Sequence, residues 1–282
     1  METIQQNSTF KIGGDLEVNR LGFGALHTTG RGGYGHPDDK NGVIDLLKKT
    51  QNLGVNFIDT ADSYGPFISE ELISEALYPY NEETVIATKV GYERPNGNWI
   101  INNDPKRIRK ALEGSLKRLK VEQIDLYQLH RIDPSIPLSE QIGFLAEVQK
   151  EGLIKHIGLS EVNLPQLREA MTYAHIASVQ NQYSYGNRKW EDVLEFTAKH
   201  NIAFLPWYPL DAGNVYGKQK LETIAKKYGF TFHQIALAWL LHHSKNIIVI
   251  PGTSNLKHLE DNVVASHIPL SDDDINFLDN GN

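Results

Sequence analysis

After an amino-terminal hairpin signal, the chain alternates short apolar runs with amphipathic helical stripes eight times over. The apolar runs begin with Arg20-Leu21-Gly22-Phe23-Gly24 and continue through Val55–Ile58, Thr84–Lys89, Ile124–Leu129, Ile154–Leu159, Ala177–Val179, Ile202–Leu205 and Ile247–Ile250. Between them fall stripes such as Val43, Leu46, Leu47 and Leu53, or Ile108, Leu112, Leu116 and Leu119. Apolar residues recurring at three and four are the mark of a helix with one buried face. Local punctuation agrees. Asp38 or Asp39 can cap the first helix, Asp104-Pro105 is a strong helix start, and Gly229 splits two helical pieces, Leu221–Tyr228 and Ile235–Leu241. Strands alternating with helices imply a parallel sheet with right-handed crossovers. Eight such units predict a (β/α)8 TIM barrel. The runner-up is an open doubly wound sheet, which would want a Gly-x-Gly-x-x-Gly turn after the first strand; the chain has none there.

Two flanking features complete the expected fold. Ser8–Ile12 and Leu16–Val18 surround Gly13-Gly14-Asp15, an N-terminal β-hairpin expected to cover the amino-terminal mouth of the barrel. Leu256–Val264 and Asp272–Leu278 close the chain as helices, the second a C-terminal extra helix. The stretch Gly91–Asn103 reads as a long loop. No linker or low-complexity segment interrupts the pattern, so residues 1–282 are expected to form a single domain.

Composition excludes several function classes. The net charge of -7 argues against a nucleic-acid surface. The chain has no cysteine, so thiolate chemistry and sulfur-ligated metals are out. No apolar run approaches the ~20 residues that span a bilayer, and Met1–Phe10 lacks the apolar core of a signal peptide. A cytoplasmic protein without a membrane partner is expected, as a monomer or small homo-oligomer.

Three successive apolar runs deliver Asp59, Lys89 and His130 to their carboxyl ends, with Tyr64 just past the first. In a barrel those ends carry the site. Lys89 needs a counter-ion to stay charged there, and Asp59 can supply it. A charged Lys89 near the Tyr64 hydroxyl is expected to lower the tyrosine pKa from its usual ~10, making Tyr64 a proton donor and acceptor. His130 can orient a carbonyl oxygen. The set describes protonation of a carbonyl oxygen while a hydride attacks the carbon. Taken singly, each residue reads more readily as structural: a cap, a loop anchor, a satisfied core histidine. The joint pattern on three successive strand ends shifts the balance to function.

The chain resembles the aldo-keto reductases over nearly its whole length. The resemblance rests on Leu21-Gly22-Phe23-Gly24, Asn56–Gly65, Ala87-Thr88-Lys89, Ile124–His130, Gly152–Ser160 and Ile250-Pro251-Gly252-Thr253-Ser254. It implies Asp59, Tyr64, Lys89 and His130 as a catalytic tetrad with Tyr64 as general acid. It further implies NADP(H) as cofactor. Ser160 and Gln180 match positions that hydrogen-bond the nicotinamide carboxamide, and Trp207 matches the ring that stacks on it; by residue pattern alone, Trp207 beside Pro206 reads as core packing. Gly24 and Asp59 join the cofactor set, Leu210 and neighbouring backbone are expected at the pyrophosphate, and Gly252–Asn262 at the adenosine end. Within that segment Thr253, Ser254, Lys257, His258, Asp261 and Asn262 are the candidate contacts. The chain departs from the common pattern in lacking Lys-Ser at Gly252-Thr253 and Arg at His258, and in carrying Glu161 where many relatives have Asn.

Candidate substrate walls are Phe23, His27, Tyr92, Trp99 and Tyr208. The chain ends shortly after its last helix, so the long carboxyl-terminal loop of steroid- and sugar-reducing relatives is not expected. Glu75–Tyr80, Ala236–Leu241 and the Pro251–Ser254 ending are similar to bacterial pyridoxal reductases of the superfamily, a resemblance that implies reduction of pyridoxal to pyridoxine, or the reverse oxidation. The alternatives are a broad-specificity aldehyde reductase, a nicotinamide-binding sensor like the β subunits of potassium channels, a Schiff-base aldolase using Lys89, and, weakest, a metal hydrolase using His27, Asp59 and His130.

Overall fold

The structure, a computed structural model, describes residues 9–211 and 218–279. The expectation of a polar leader-free start falls largely on residues 1–8 and lies outside the described residues. The chain opens with β1 (Thr9–Ile12) and β2 (Leu16–Asn19), paired antiparallel across a turn in which Gly13 and Gly14 have φ of 64° and 92°. Then follow β3 (Phe23–Gly24), α1 (Lys40–Asn52), β4 (Phe57–Asp59), α2 (Ile68–Leu77) and β5 (Val85–Val90). A small antiparallel pair, β6 (Tyr92–Glu93) and β7 (Ile100–Ile101), precedes α3 (Pro105–Leu119) and β8 (Ile124–Leu129). The second half runs α4 (Leu138–Lys150), β9 (Ile154–Ser160), α5 (Leu164–Ala170), β10 (Ile176–Gln180), α6 (Glu191–Lys199) and β11 (Ala203–Phe204). It ends in α7 (Lys218–Tyr228), α8 (Phe232–His243), α9 (Leu256–Ala265) and α10 (Asp272–Asp279).

Seven strands form one parallel sheet in the order β11-β10-β9-β8-β5-β4-β3. Its two edges meet one segment. Parallel bridges Leu21↔Val249 and Phe204↔Ile247, with Gly22 N donating to Val249 O at 2.8 Å and Ile248 N to Phe204 O at 2.9 Å, hold that segment from both sides. The expected last strand is therefore a run of isolated bridges, not a continuous ladder. The architecture is an α/β fold with a curled parallel sheet, consistent with a (β/α)8 barrel.

Alternation along the strands sorts the core into two layers, since successive side chains point to opposite faces. Ile86 and Val90 of β5 join the large cluster under the helices. Val85 and Ala87 join a second cluster with Phe57, Leu126 and Ala177, and the hairpin residues Ile12, Leu16 and Val18 pack into it. The hairpin thus closes the apolar interior, each buried aliphatic contributing ~1.5–3 kcal/mol. Lys89 continues the inward parity of Val85 and Ala87, and so reaches the interior near its carboxyl end.

The helix starts follow their capping residues. Asp39 accepts from Gly42 N, Asp104 from Arg107 N with Pro105 as first helical residue, and Thr231 and Gln234 form a capping box. Gly229, at φ 75°, separates α7 from α8. The Gly91–Asn103 stretch corrects the loop expectation: it contains the β6/β7 pair, whose two-residue strands are too short to show alternation. Among the described residues no helix is long and apolar enough to cross a membrane.

Candidate active site

Asp59, Tyr64, Lys89 and His130 converge at the carboxyl end of the sheet, and all are buried. Lys89 Nζ donates to Asp59 Oδ2 at 2.6 Å, to Thr60 O at 2.9 Å and to Tyr64 Oη at 3.2 Å. Three acceptors around one ammonium satisfy its full hydrogen-bonding capacity. The other carboxylate oxygen of Asp59 accepts from Gln128 Nε2 at 3.0 Å and Gln180 Nε2 at 2.8 Å. Gln128 has room to do so because Gly158 lies opposite: a Cβ there would stand 2.8 Å from Gln128 Cγ and 2.3 Å from Ser178 Oγ. The Tyr64 and His130 rings meet edge to face at 5.9 Å. His130 Nδ1 lies 3.5 Å from Ser63 Oγ.

The electrostatics follow from burial and two or three cations. Burial would lower the Lys89 pKa, but Asp59 and Tyr64 outweigh it and hold the ammonium charged. Burial pushes the Tyr64 hydroxyl up, and the opposing pull of Lys89 does not cancel it. The expected lowering of the tyrosine is corrected: desolvation of a phenolate in this closed setting exceeds the attraction of the ammonium. His130 is held well below the usual imidazole range, first by burial and then by Lys89, Arg131 and Arg94. It is neutral at pH 7.

Around this core stand rings. Tyr92 and Trp99 approach His130 edge-on at 4.9 and 6.0 Å, and the Arg94 guanidinium lies 3.6 Å from the Trp99 ring centre. Arg94 also donates to Gly33 O and Ser63 O, tying the β6/β7 pair to the loop before α1. Trp99 and Tyr208 are exposed. Phe23 corrects the expectation of a pocket wall: it is wholly inaccessible and belongs to the cluster beneath the helices. The parity of a two-residue strand could not be read from its glycine-flanked sequence. His27 is exposed and stands by Gly252, where a Cβ would meet its ring at 3.0 Å. Among the described residues no three His, Cys, Asp or Glu side chains gather as metal ligands.

The remaining candidates run from β9 to α9 along the same side. Ser160 Oγ accepts from Arg131 Nη1 at 3.0 Å. Gln180 turns its amide nitrogen to Asp59. Half-exposed Trp207 is fixed by Glu161, whose Oε1 accepts from Trp207 Nε1 at 2.7 Å and from Gln182 N at 2.6 Å. Glu161 sits at φ 54°, a conformation costly for a residue with a Cβ and cheaper for Asn. Leu210 is half-buried, and the backbone that was expected beside it at residues 212–217 lies outside the described residues. Gly252 is exposed against Gly24, whose carbonyl oxygen would stand 2.7 Å from a Cβ. Thr253 Oγ1 accepts from Asn255 N at 3.0 Å, and Asn255 caps α9. Ser254, Lys257 and His258 are exposed there, Lys257 lying 3.4 Å from Asp261, while Asn262 is buried. Sequence reasoning missed Gln128, Arg131, Ser63 and Arg94. Gln128 was detectable, being a polar residue of inward parity in an apolar run; the others sit in loops with no periodicity to mark them.

The Aldo/keto reductase family profile matches residues 20–282. The chain belongs to the aldo/keto reductase family. An uncharacterized oxidoreductase of Schizosaccharomyces pombe is 47% identical to this aldo-keto reductase over 97% of the chain and 90% of the relative. Pyridoxine 4-dehydrogenase of Escherichia coli is 38% identical, covering 97% of this chain and 98% of that protein. An aldo/keto reductase from Klebsiella pneumoniae, solved in complex with NADP and acetate, superposes with a TM-score of 0.82 at 25% identity, over 97% and 94% of the two chains.

Proposed function

We propose that this aldo-keto reductase reduces pyridoxal to pyridoxine with NADPH, Tyr64 acting as general acid. It is an NADP-dependent oxidoreductase, and its reaction converts a carbonyl to an alcohol. The observation that carries the reading is the chain of contacts Asp59–Lys89–Tyr64, 2.6 and 3.2 Å long, ending edge-on to a neutral His130. NADPH supplies the hydride that reduces the carbonyl carbon. Tyr64, kept protonated by burial, gives its proton to the carbonyl oxygen and recovers one from solvent. Lys89 donates to Tyr64 Oη and so stabilises the phenolate that develops. Asp59 keeps Lys89 charged. His130, neutral, hydrogen-bonds and orients the carbonyl oxygen without competing for the proton.

The residues fit a dinucleotide. Trp207 offers a ring whose indole N–H is already held from one edge. Gly24 and Gly252 pack backbone against backbone, a Cβ on Gly252 meeting Gly24 O at 2.7 Å, and the start of α9 presents Ser254, Lys257 and His258 to solvent, a setting that favours phosphate. With His at position 258, Lys257 is the exposed lysine of the first turn of α9 that would be available to a 2′-phosphate. Pyridoxal as substrate rests on likeness to the Escherichia coli pyridoxine 4-dehydrogenase. The reading also takes residues 1–282 as one closed eight-stave barrel domain, working in the cytoplasm as a monomer or small homo-oligomer.

The test is NADPH oxidation followed by absorbance, with pyridoxal beside nitrobenzaldehyde and methylglyoxal. Turnover far faster with pyridoxal supports the proposal. Equal rates across the panel replace pyridoxal with a broad aldehyde range. No turnover with NADPH still bound removes the reductase reading in favour of a sensor.

A further inference from the structure

Arg131, the residue after His130, has a setting that the proposed reduction leaves unexplained. Its Nη1 donates to His130 O at 2.5 Å and to Ser160 Oγ at 3.0 Å. Its guanidinium lies 5.6 Å from the Tyr92 ring centre and 5.9 Å from that of Trp207. It is half-buried. Every partner it has is neutral: among the described residues no carboxylate stands within ion-pairing distance of it. The three arginines of α3 behave otherwise, with Arg107, Arg109 and Arg118 paired to Asp62, Glu151 and Glu70.

The nearby acids are committed elsewhere. Asp59 is saturated by Lys89, Gln128 and Gln180. Glu161 holds the Trp207 indole and Gln182 N. Asp133 is engaged by Ser135 and Asn103. Arg94, the other cation at this mouth, stacks on Trp99 and donates to backbone carbonyls. A partly desolvated guanidinium held by neutral groups gains most from an arriving carboxylate or phenolate, which it can take bidentately. The rings beside it are aromatic: Trp207 is the one offered to the cofactor, and Tyr92 packed on Trp99 leaves a wall suited to a flat substrate ring.

We infer that Arg131 is a specificity-determining residue that binds an anionic oxygen on a planar aromatic aldehyde, so that the site selects ring aldehydes bearing a phenolate or carboxylate over neutral ones. The inference rests on the proposed reduction for its meaning, though the anion site is a property of the residues themselves. The ionised ring oxygen of pyridoxal belongs to the class.

The experiment compares kcat/KM for 4-carboxybenzaldehyde with that for its neutral methyl ester, in the wild type, Arg131→Met and Arg131→Lys. The wild type prefers the carboxylate at least tenfold. In Arg131→Met that ratio falls at least tenfold, and Arg131→Lys recovers part of it. A ratio unchanged in Arg131→Met overturns the assignment, even where both rates fall together. A second measurement needs no turnover: calorimetric binding of benzoate to the NADP+-loaded protein weakens at least tenfold in Arg131→Met. Benzoate binding that depends on Arg131 in a protein that reduces no aldehyde keeps the anion site and removes the reductase reading. Benzoate affinity that is equal in wild type and Arg131→Met removes the anion site while leaving the reductase reading to its own test.

Discussion

Lys89 Nζ lies 2.6 Å from Asp59 Oδ2, with the lysine side chain wholly inaccessible and the aspartate nearly so. Neither charge is stable there alone. Asp59→Asn leaves the ammonium without its counter-charge, and loss of one partner of a buried pair costs about 3–5 kcal/mol. Urea unfolding is expected to show a loss of that order. The double variant Asp59→Leu with Lys89→Met removes both charges and is expected to lose less than the sum of the single changes. Additive losses would mean the two charges do not stabilise one another.

Tyr64→Phe removes the hydroxyl that, among the described residues, is the only one Lys89 touches. Reduction is expected to fall by about 10²–10⁴-fold, the usual worth of a positioned acid. NADPH affinity, read by fluorescence titration, is expected to stay at the wild-type value, because the phenyl ring keeps its edge-to-face contact with His130. Near-wild-type turnover would remove Tyr64 as the acid.

Much of this site was legible because strand parity carries chemistry. Asp59, Lys89 and His130 announce themselves as polar residues ending apolar runs, and Gln128 shares the inward parity of His130 two residues before it. Helix starts at Asp39 and Asp104 were legible for a local reason, since a cap is a contact within four residues. What could not be read depends on depth and distance. The Tyr64 pKa turns on how fully the site is desolvated, which no local pattern reports. Phe23 sits in a two-residue strand with no alternation to assign its face. Arg131 and Arg94 find their places through contacts with residues far along the chain, Ser160 for the first and Gly33 and Ser63 for the second.

Glu161 occupies a left-handed conformation to bring its carboxylate to the Trp207 indole. Hydrogen bonds to a charged acceptor contribute about 1.5–3 kcal/mol. Glu161→Ala frees the ring, and NADPH binding is expected to weaken by about tenfold, which corresponds to ~1.4 kcal/mol. The change is read by quenching of tryptophan emission on NADPH titration. The apo emission is expected to shift as well, since the indole N–H then faces solvent. An unchanged affinity would mean that Trp207 is held by its backbone alone.

His130 makes stability fall on the acid side. Its folded pKa lies well below the ordinary imidazole value, which holds at about 6.5 in the unfolded chain. The unfolded state therefore binds a proton that the folded state refuses. Stability from this group is complete above pH ~6.5 and is lost as pH falls toward the folded pKa. His130→Gln removes the titration, so its stability is expected to decline less steeply than that of the wild type between pH 7 and 5.

Asp62 acts in the opposite sense over an overlapping range. Its carboxyl is pushed up to about 7, chiefly by burial, with Arg107 pulling it down and Glu70 pushing it further. One oxygen, Oδ1, has no hydrogen-bond partner, and the other lies 3.4 Å from Arg107 Nη2. Between about pH 4, where the unfolded carboxyl titrates, and pH 7, the folded state holds a proton that the unfolded state has released. Stability from this group thus falls as pH rises through that window, by on the order of 4 kcal/mol for a shift of this size. Asp62→Asn has nothing to titrate and keeps the shape. Urea unfolding of the two proteins at pH 5 and pH 8 is expected to show the variant gaining on the wild type at the higher pH. A stability difference that is the same at both values would mean that Asp62 titrates at its unfolded pKa and that Arg107 fully offsets its burial.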